Sequence, residues 1–196
     1  MTKDIFASLV SRRSIAKVTD QPVSRSLVER VIEAGTFAPT HKRTDPWRFV
    51  VFEGDGRQKL ADAMVEGYKQ ANPDFSAEKL EKIAQKPFRA PVIVMVWCAV
   101  GRGKKNPPPW EDYAAVAACL QNMSLAAHGF GLGSIWRSGS LTDFPQVQAL
   151  CQSGDDSFNL AMGDQIMGLL YIGHPDCNYP EPNRFPNPAQ VNWLDS

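Results

Sequence analysis

The segment from Tyr113 to His128 contains no Asp, Glu, Lys or Arg, and it limits the possible folds of this chain more than any other feature. Its alanines, together with Val116, Leu120 and Met123, would form a helix that is apolar on nearly every side. Such a helix needs packing partners all round, and a chain of 196 residues can hardly surround it alone. We therefore predict that part of its surface is an alanine-rich interface in a homodimer.

Further helices are indicated by hydrophobic periodicity and by capping signals. Ser26 and Glu29 have the spacing of a capping box, which predicts a helix that stops at Gly35. Thr142 likewise predicts the start of a helix that continues to about Leu150. The other predicted helices lie at 5–10, 57–70 and 76–85.

Strands are indicated by runs rich in β-branched and aromatic residues between turn signals. The run at 92–99 is apolar on both faces, which is typical of a central strand. The other predicted strands lie at 47–52, 134–137 and 164–173.

The tail after residue 173 is too rich in proline for a helix or a central strand. Its apolar residues nonetheless need burial, namely Phe185, Val191, Trp193 and Leu194. We predict a single domain over residues 1–196, in which 174–196 is an extended C-terminal arm that lies over a partner subunit.

Charge, cysteine spacing and hydropathy exclude several function classes. Lys and Arg number 21 and Asp and Glu also number 21, so no net field favours nucleic acid or an anionic membrane. The four cysteines lack the spacing of zinc ligands and predict free thiols, with no metal site. The longest apolar run, at 91–100, is too short to span a bilayer. We therefore expect a cytoplasmic protein without a membrane partner.

Arg12, Arg13 and Ser14 place two guanidinium groups and a hydroxyl close together after the first predicted helix. This set suits a phosphate monoester or the pyrimidine edge of a flavin. The alternative is a solvated helix end, where cations meet the negative end of the helix dipole. Residue types alone favour the alternative.

Two further clusters could contact a ligand. Trp136, Arg137 and Ser138 offer an aromatic face, a cation and a hydroxyl at the end of a predicted strand, although a core Trp beside a surface Arg explains them equally well. His41 and Lys42 lie in a proline-flanked loop, where the His could donate to a ligand atom or simply be exposed.

The glycines of 129–133 resemble a dinucleotide fingerprint only superficially. A fingerprint follows a strand and opens a helix, whereas these glycines follow a helix and open a strand. They are better explained as a helix stop with a tight turn. Because no nucleophile motif is present either, the hard chemistry of any enzyme built on this chain would belong to a bound cofactor.

Several segments, in order along almost the whole chain, resemble the FMN-dependent nitroreductase family, and in particular its short bacterial YdjA-like branch. They are 12–14, 38–42, 45–49, 87–91, 131–139 and 168–173. The resemblance implies an α+β fold with a mainly antiparallel central sheet flanked by helices. It also implies an intertwined homodimer with FMN bound at the subunit interface.

The resemblance assigns site residues as well. It implies FMN contacts for Arg12, Arg13 and Ser14, for Trp136, Arg137 and Ser138 towards the phosphate, and for Phe37 and His41 of the partner subunit. NAD(P)H is expected at the end of the apolar helix, along Ala126, Ala127, His128, Gly129, Phe130 and Gly131.

The activity implied is transfer of a hydride from NAD(P)H through FMN to a nitroaromatic, quinone or similar small acceptor in a ping-pong cycle, with no catalytic side chain. Three positions depart from the family pattern, namely Ala16, Arg43 and Asp45. Because of Arg43 and Asp45, a flavin-binding sensor or carrier with little turnover stays open as the alternative function.

Overall fold

The computed structural model describes residues 5–103, 107–153, 156–178 and 191–194. In this part of the chain, helices cover both faces of a four-stranded antiparallel sheet. The predicted α+β class and mainly antiparallel sheet are confirmed. The helices are α1 (Ile5–Ser11), α2 (Arg25–Thr36), α3 (Gly56–Ala71), α4 (Ala77–Ala84), α5 (Pro109–Gly129) and α6 (Pro145–Gln148).

The sheet has the strand order β1-β2-β6-β3, and every neighbouring pair is antiparallel. A separate two-stranded hairpin, which the sequence did not predict, pairs β4 with β5. The strands are β1 (Trp47–Glu53), β2 (Val92–Cys98), β3 (Gly133–Arg137), β4 (Gln152–Ser153), β5 (Asp156–Ser157) and β6 (Gln165–Gly173).

Strand β2 divides the core into two layers because its side chains alternate between the faces of the sheet. Val92, Val94 and Val96 pack with α2 and α5, whereas Ile93 and Met95 pack with α3 and α4. All seven residues of β2 are buried, as its apolar sequence predicts for a central strand.

Helix α5 packs against α2 and the sheet, but one side of it stays accessible. Gly35 allows the close approach of α2, since a Cβ there would lie 2.7 Å from Sγ of Cys119. On the other side Ala114 and Gln121 are exposed, and Leu125 is half-buried. The chain therefore encloses part of the apolar helix and leaves an accessible face, on which the predicted homodimer interface would lie.

Two predicted helix starts are wrong. The N-cap of α2 is Ser24, whose carbonyl accepts from the backbone N–H groups of Leu27 and Val28, so Ser26 is inside the first turn and forms no capping box. Thr142 lies in a short 3-10 turn, where its hydroxyl donates to the carbonyl of Gly139. The helix that follows, α6, begins at Pro145 because proline suits a first helical position.

The C-terminal arm stays a prediction. Of its apolar residues, Val191, Trp193 and Leu194 are exposed in this chain, while Phe185 lies outside the described residues. None of the helices described is both long and apolar enough to cross a membrane.

Candidate functional site

Arg13 lies where α1 ends and the chain turns towards the sheet. Its Nη1 donates to the carbonyl oxygens of Val10 and Arg12, at 2.7 and 2.8 Å, as the helix-end alternative requires. Its Nε and Nη2 are also buried, and neither has a hydrogen-bond partner among the described residues. Because unpaired buried donors are costly, this guanidinium is suited to an anion that the described part of the chain does not supply.

The segment after Arg13 is held against the edge of the sheet at β3. Ser14 and Ser134 form a parallel bridge, and the N–H of Ile15 donates to the carbonyl of Ser134 at 2.9 Å. Gly133 permits this contact, since a Cβ there would lie 2.9 Å from Cγ2 of Ile15. The Arg12–Ser14 segment therefore lies beside β3, the strand in which the segment 136–138 begins.

The segment at 126–131 ends α5 and leads into β3. Backbone N–H groups of Phe130 and Gly131 donate to the carbonyls of Ala126 and His128, and Gly131 has a φ of +77°. The predicted helix stop is thus confirmed. Oγ of Ser11 and Nε2 of His128 are hydrogen-bonded at 2.8 Å. Segments 12–14 and 126–131 therefore lie at the start of the edge strand β3, and 136–138 lies at its other end.

Trp136 lies across strand β6 rather than in the core. Its Nε1 donates to the carbonyl of Met167 at 2.9 Å, and the residue is 41% exposed. The indole fits only because position 168 is glycine, since a Cβ on Gly168 would lie 2.2 Å from Nε1. The core-Trp interpretation is therefore wrong, and part of the side chain is accessible to a ligand.

Arg137 lines a cavity of about 490 Å³ at the end of β3, and its Cζ lies 5.9 Å from the centroid of the Tyr171 ring. The cavity combines cationic, hydroxyl and apolar side chains, and the Arg12–Ser14 segment is not part of its lining. The lining residues are Met64, Lys86, Arg89, Ile135, Trp136, Arg137, Ser138, Gly139, Ser140, Leu141, Thr142, Leu169 and Tyr171.

Lys86 and Arg89, which the sequence did not single out as site residues, bring the cavity cations to three. Both lie in a 3-10 turn just before β2. Burial lowers the pKa of Lys86 from its ordinary value, and the charges of Arg89, Lys79 and Arg137 lower it further. The segment 87–91, which contains Arg89 but not Lys86, belonged to the family resemblance, but no sequence pattern placed either cation beside β3.

Phe37 and His41 lie apart from this cavity. Phe37 is 78% exposed, and Nδ1 of His41 is hydrogen-bonded to the carboxylate of Glu111. The loop beyond is strained, because Lys42, Arg43 and Asp45 all have positive φ, at 57, 53 and 42°. Neither Phe37 nor His41 lines the cavity of its own chain, and their contact with the FMN of a partner subunit stays a prediction.

The buried acids and thiols of the described residues are not poised for catalysis. Asp112 accepts from the hydroxyl of Thr44 and the N–H of Gly101, and Asp164 accepts from Arg102 and two backbone N–H groups. Burial raises the pKa of the Cys119 thiol to about 12, so it is protonated at neutral pH. Nucleophilic chemistry by these groups is therefore not supported.

Comparison with known proteins assigns the fold to a class. The nitroreductase-like protein from Bacillus cereus has a TM-score of 0.79 at 27% identity, over 100% of this chain and 98% of that one. A protein from Desulfovibrio desulfuricans, solved in complex with FMN, has a TM-score of 0.70 at 24% identity over 100% of both chains. The antiparallel sheet and its flanking helices are thus of the nitroreductase type.

The sequence narrows the class to a family. The model of the nitroreductase family matches residues 9–174, and the chain belongs to that family. YdjA of Escherichia coli strain K12, whose name proposes an NAD(P)H nitroreductase, is 32% identical over 188 residues. That match covers 93% of this chain and 97% of YdjA. The predicted resemblance is confirmed.

Proposed function

We propose that the protein is an FMN-dependent oxidoreductase that passes electrons from NAD(P)H to nitroaromatic, quinone or similar acceptors in a ping-pong cycle. The family, the name of YdjA and the FMN bound to the Desulfovibrio protein support this proposal. FMN, when bound, would accept a hydride from the donor and return electrons to the acceptor. The protein would bind, orient and shield these molecules.

The guanidinium of Arg13 is the observation that carries the proposal. Its two unpaired buried nitrogens need an anionic acceptor, and a phosphate monoester has three acceptor oxygens for such donors. Arg12 and the hydroxyl of Ser14, which precede and follow it, complete the segment for which the family resemblance implies FMN contacts. The residues present therefore fit FMN.

The remaining flavin contacts would come from β3 and from a second subunit. The accessible part of the Trp136 side chain would lie beside the ring system, and Arg137 and Ser138 complete that segment. Phe37 and His41 of the partner subunit would close the site. The apolar residues of α1 and the accessible face of α5 favour such a homodimer, since Ile5, Phe6, Leu9, Val10 and Trp110 are all exposed in the single chain.

NAD(P)H would approach along 126–131, where α5 ends. Hydride transfer requires orientation rather than an acid or nucleophile from the protein, so the absence of a poised acid or thiol among the described residues fits the proposal. The buried free thiols Cys98, Cys119 and Cys151 are consistent with a cytoplasmic, reducing location, which is part of the proposal.

FMN binding to Arg13→Ala tests the carrying observation. We expect the purified wild type to be yellow and the variant to bind FMN at least about tenfold more weakly, because charge-assisted hydrogen bonds are lost. Arg25→Ala removes an exposed arginine paired with Glu29 and should leave FMN binding unchanged. Equal FMN affinity in Arg13→Ala and wild type would refute the assignment of Arg13.

Anaerobic addition of NADPH and then of NADH separates the enzyme from the passive flavoprotein. We expect rapid loss of the oxidised-flavin absorbance and its return on addition of a nitroaromatic acceptor. A flavin-loaded protein that neither donor bleaches would instead favour the sensor or carrier, with the strained loop at Arg43 and Asp45 excluding the donor.

A further inference from the structure

The cavity at the end of β3 is lined by three cations, Lys86, Arg89 and Arg137. Among the described residues, no acidic side chain lines this cavity. Across the described residues, none of these three cations forms an ion pair. Three cations that line one cavity make a strong positive potential there. The cavity is therefore suited to an anionic group.

The rest of the lining is largely apolar and is fixed by the core. Met64, Leu169 and Tyr171 are buried members of the layer between the sheet and α3. Cζ of Arg137 lies 5.9 Å from the centroid of the Tyr171 ring. This cation–π contact orients the guanidinium and does not use its N–H donors. A ligand for this cavity would thus have a flat apolar body and an anionic end.

The position of the cavity connects it with electron transfer. Trp136, Arg137 and Ser138 belong both to its lining and to the segment proposed to contact FMN, which leaves Lys86 and Arg89 as the cavity cations without a flavin role. The volume of about 490 Å³ falls in the range of small-molecule sites. A monocyclic aromatic acid fits these requirements, because its ring would meet the apolar side chains of the lining while its carboxylate meets Lys86 and Arg89.

We propose that this cavity is the acceptor subsite and that it selects aromatic carboxylates, such as nitrobenzoates, over neutral aromatic acceptors. The inference rests on the proposed function and specifies its substrate class. The overall reaction for a nitro acid balances as ArNO₂ + NAD(P)H + H⁺ → ArNO + NAD(P)⁺ + H₂O. Lys86 and Arg89 are then specificity residues that bind the carboxylate and take no part in the redox step.

Binding of 4-nitrobenzoate and of the neutral 4-nitrobenzamide to the flavin-loaded protein, measured by calorimetry, tests the proposal directly. We expect the acid to bind about 5- to 20-fold more tightly than the amide, a smaller factor than buried charged hydrogen bonds give, because Lys86 and Arg89 remain partly in water. The preference should fall as salt is added. Equal affinity for acid and amide would overturn the proposal.

The double variant Lys86→Gln/Arg89→Gln should lose this preference and keep its affinity for the amide. The matched control, Lys59→Gln/Lys69→Gln, removes two exposed lysines from α3 that do not line the cavity, and it should keep the preference. In steady-state kinetics the first variant should raise KM for the acid with little change in kcat. A preference that survives Lys86→Gln/Arg89→Gln would refute the role of these cations.

FMN content, read from flavin absorbance on the same samples, separates this proposal from the proposed function. A wild type that binds no FMN contradicts the function, whatever the acid does. A double variant that loses FMN, together with displacement of FMN from the wild type by inorganic phosphate at this cavity, would mean that the cations hold the flavin phosphate. That outcome overturns the acceptor subsite and leaves the flavoenzyme intact.

Discussion

Gly168 is the residue on which the position of Trp136 depends most directly. It lies in β6 with a φ of +151°, a conformation that residues with a Cβ rarely adopt. A Cβ there would lie 2.2 Å from Nε1 of Trp136 and 2.8 Å from the carbonyl oxygen of Arg137. The second contact is with backbone, so a side-chain rotation cannot relieve it.

For Gly168→Ala we therefore expect two costs. The backbone conformation costs about 1–3 kcal/mol, and overpacking against β3 costs a further 1–3 kcal/mol or so. The free energy of unfolding should fall by about 2–6 kcal/mol in total, measured by urea denaturation at one protein concentration. Because the indole must move, the hydrogen bond to Met167 should break and the tryptophan fluorescence of the folded protein should change.

Gly56→Ala is the matched control. Gly56 begins α3, it has no positive φ, and a Cβ there would meet nothing within 4 Å. Its replacement should be neutral or stabilise by about 0.4–1 kcal/mol, since alanine lowers the entropy of the unfolded chain. If the free energies of unfolding of Gly168→Ala and Gly56→Ala differ by less than about 1 kcal/mol, the reasoning about Trp136 and β3 is wrong.

Two further predictions concern buried groups. Asp164→Ala should lower the free energy of unfolding by about 2–5 kcal/mol in urea denaturation, because the N–H groups of Val100 and Asn159 lose their acceptor and the partly buried Arg102 loses one carboxylate partner while keeping Asp156; the exposed Asp62→Ala is the control, and equal losses would contradict the argument. Burial raises the pKa of Cys98, Cys119 and Cys151 to about 12, whereas the pKa of an unfolded thiol is near 9. Between these two values the unfolded chain loses the thiol protons and the folded chain keeps them. The free energy of unfolding should therefore fall as the pH rises from about 9 to about 12. At neutral pH a thiol reagent should modify Cys177 alone, and rapid modification of the other three in the folded protein would refute their burial.

The sequence predicted the elements whose hydrophobic pattern is long, and it failed where a boundary depends on one side chain. Composition alone predicts a buried helix for the uncharged segment of α5 and a central strand for the apolar run of β2. Ser24 and Ser26 both precede the same apolar stripe, so sequence could not decide which of them is the N-cap. The β4–β5 hairpin has strands of two residues each, too short for any period to be visible.

Only some residues of the candidate site were singled out from the sequence. Arg12–Ser14, 126–131 and 136–138 were singled out from residue chemistry and the family resemblance, and the structure places all three along β3. Lys86 and Arg89 were missed because their position in the cavity depends on the tertiary fold. The fold places the 3-10 turn before β2 beside the end of β3. No spacing within the chain carries that information.

The alternation of β3 explains how one strand can serve both proposed sites. Ile135 packs in the layer on the α3 side together with Tyr171, and Arg137, two residues on, lies over that same Tyr171 ring. Trp136 lies between them and bonds across to Met167, which packs with the α5 layer. Both residues therefore line the cavity, but only Arg137 lies over the Tyr171 ring, whereas Trp136 is bonded across β6. Exchanging positions 136 and 137 would preserve composition and charge, yet it would direct the cation away from Lys86 and Arg89, so the acid preference should disappear in that variant if the alternation is its cause.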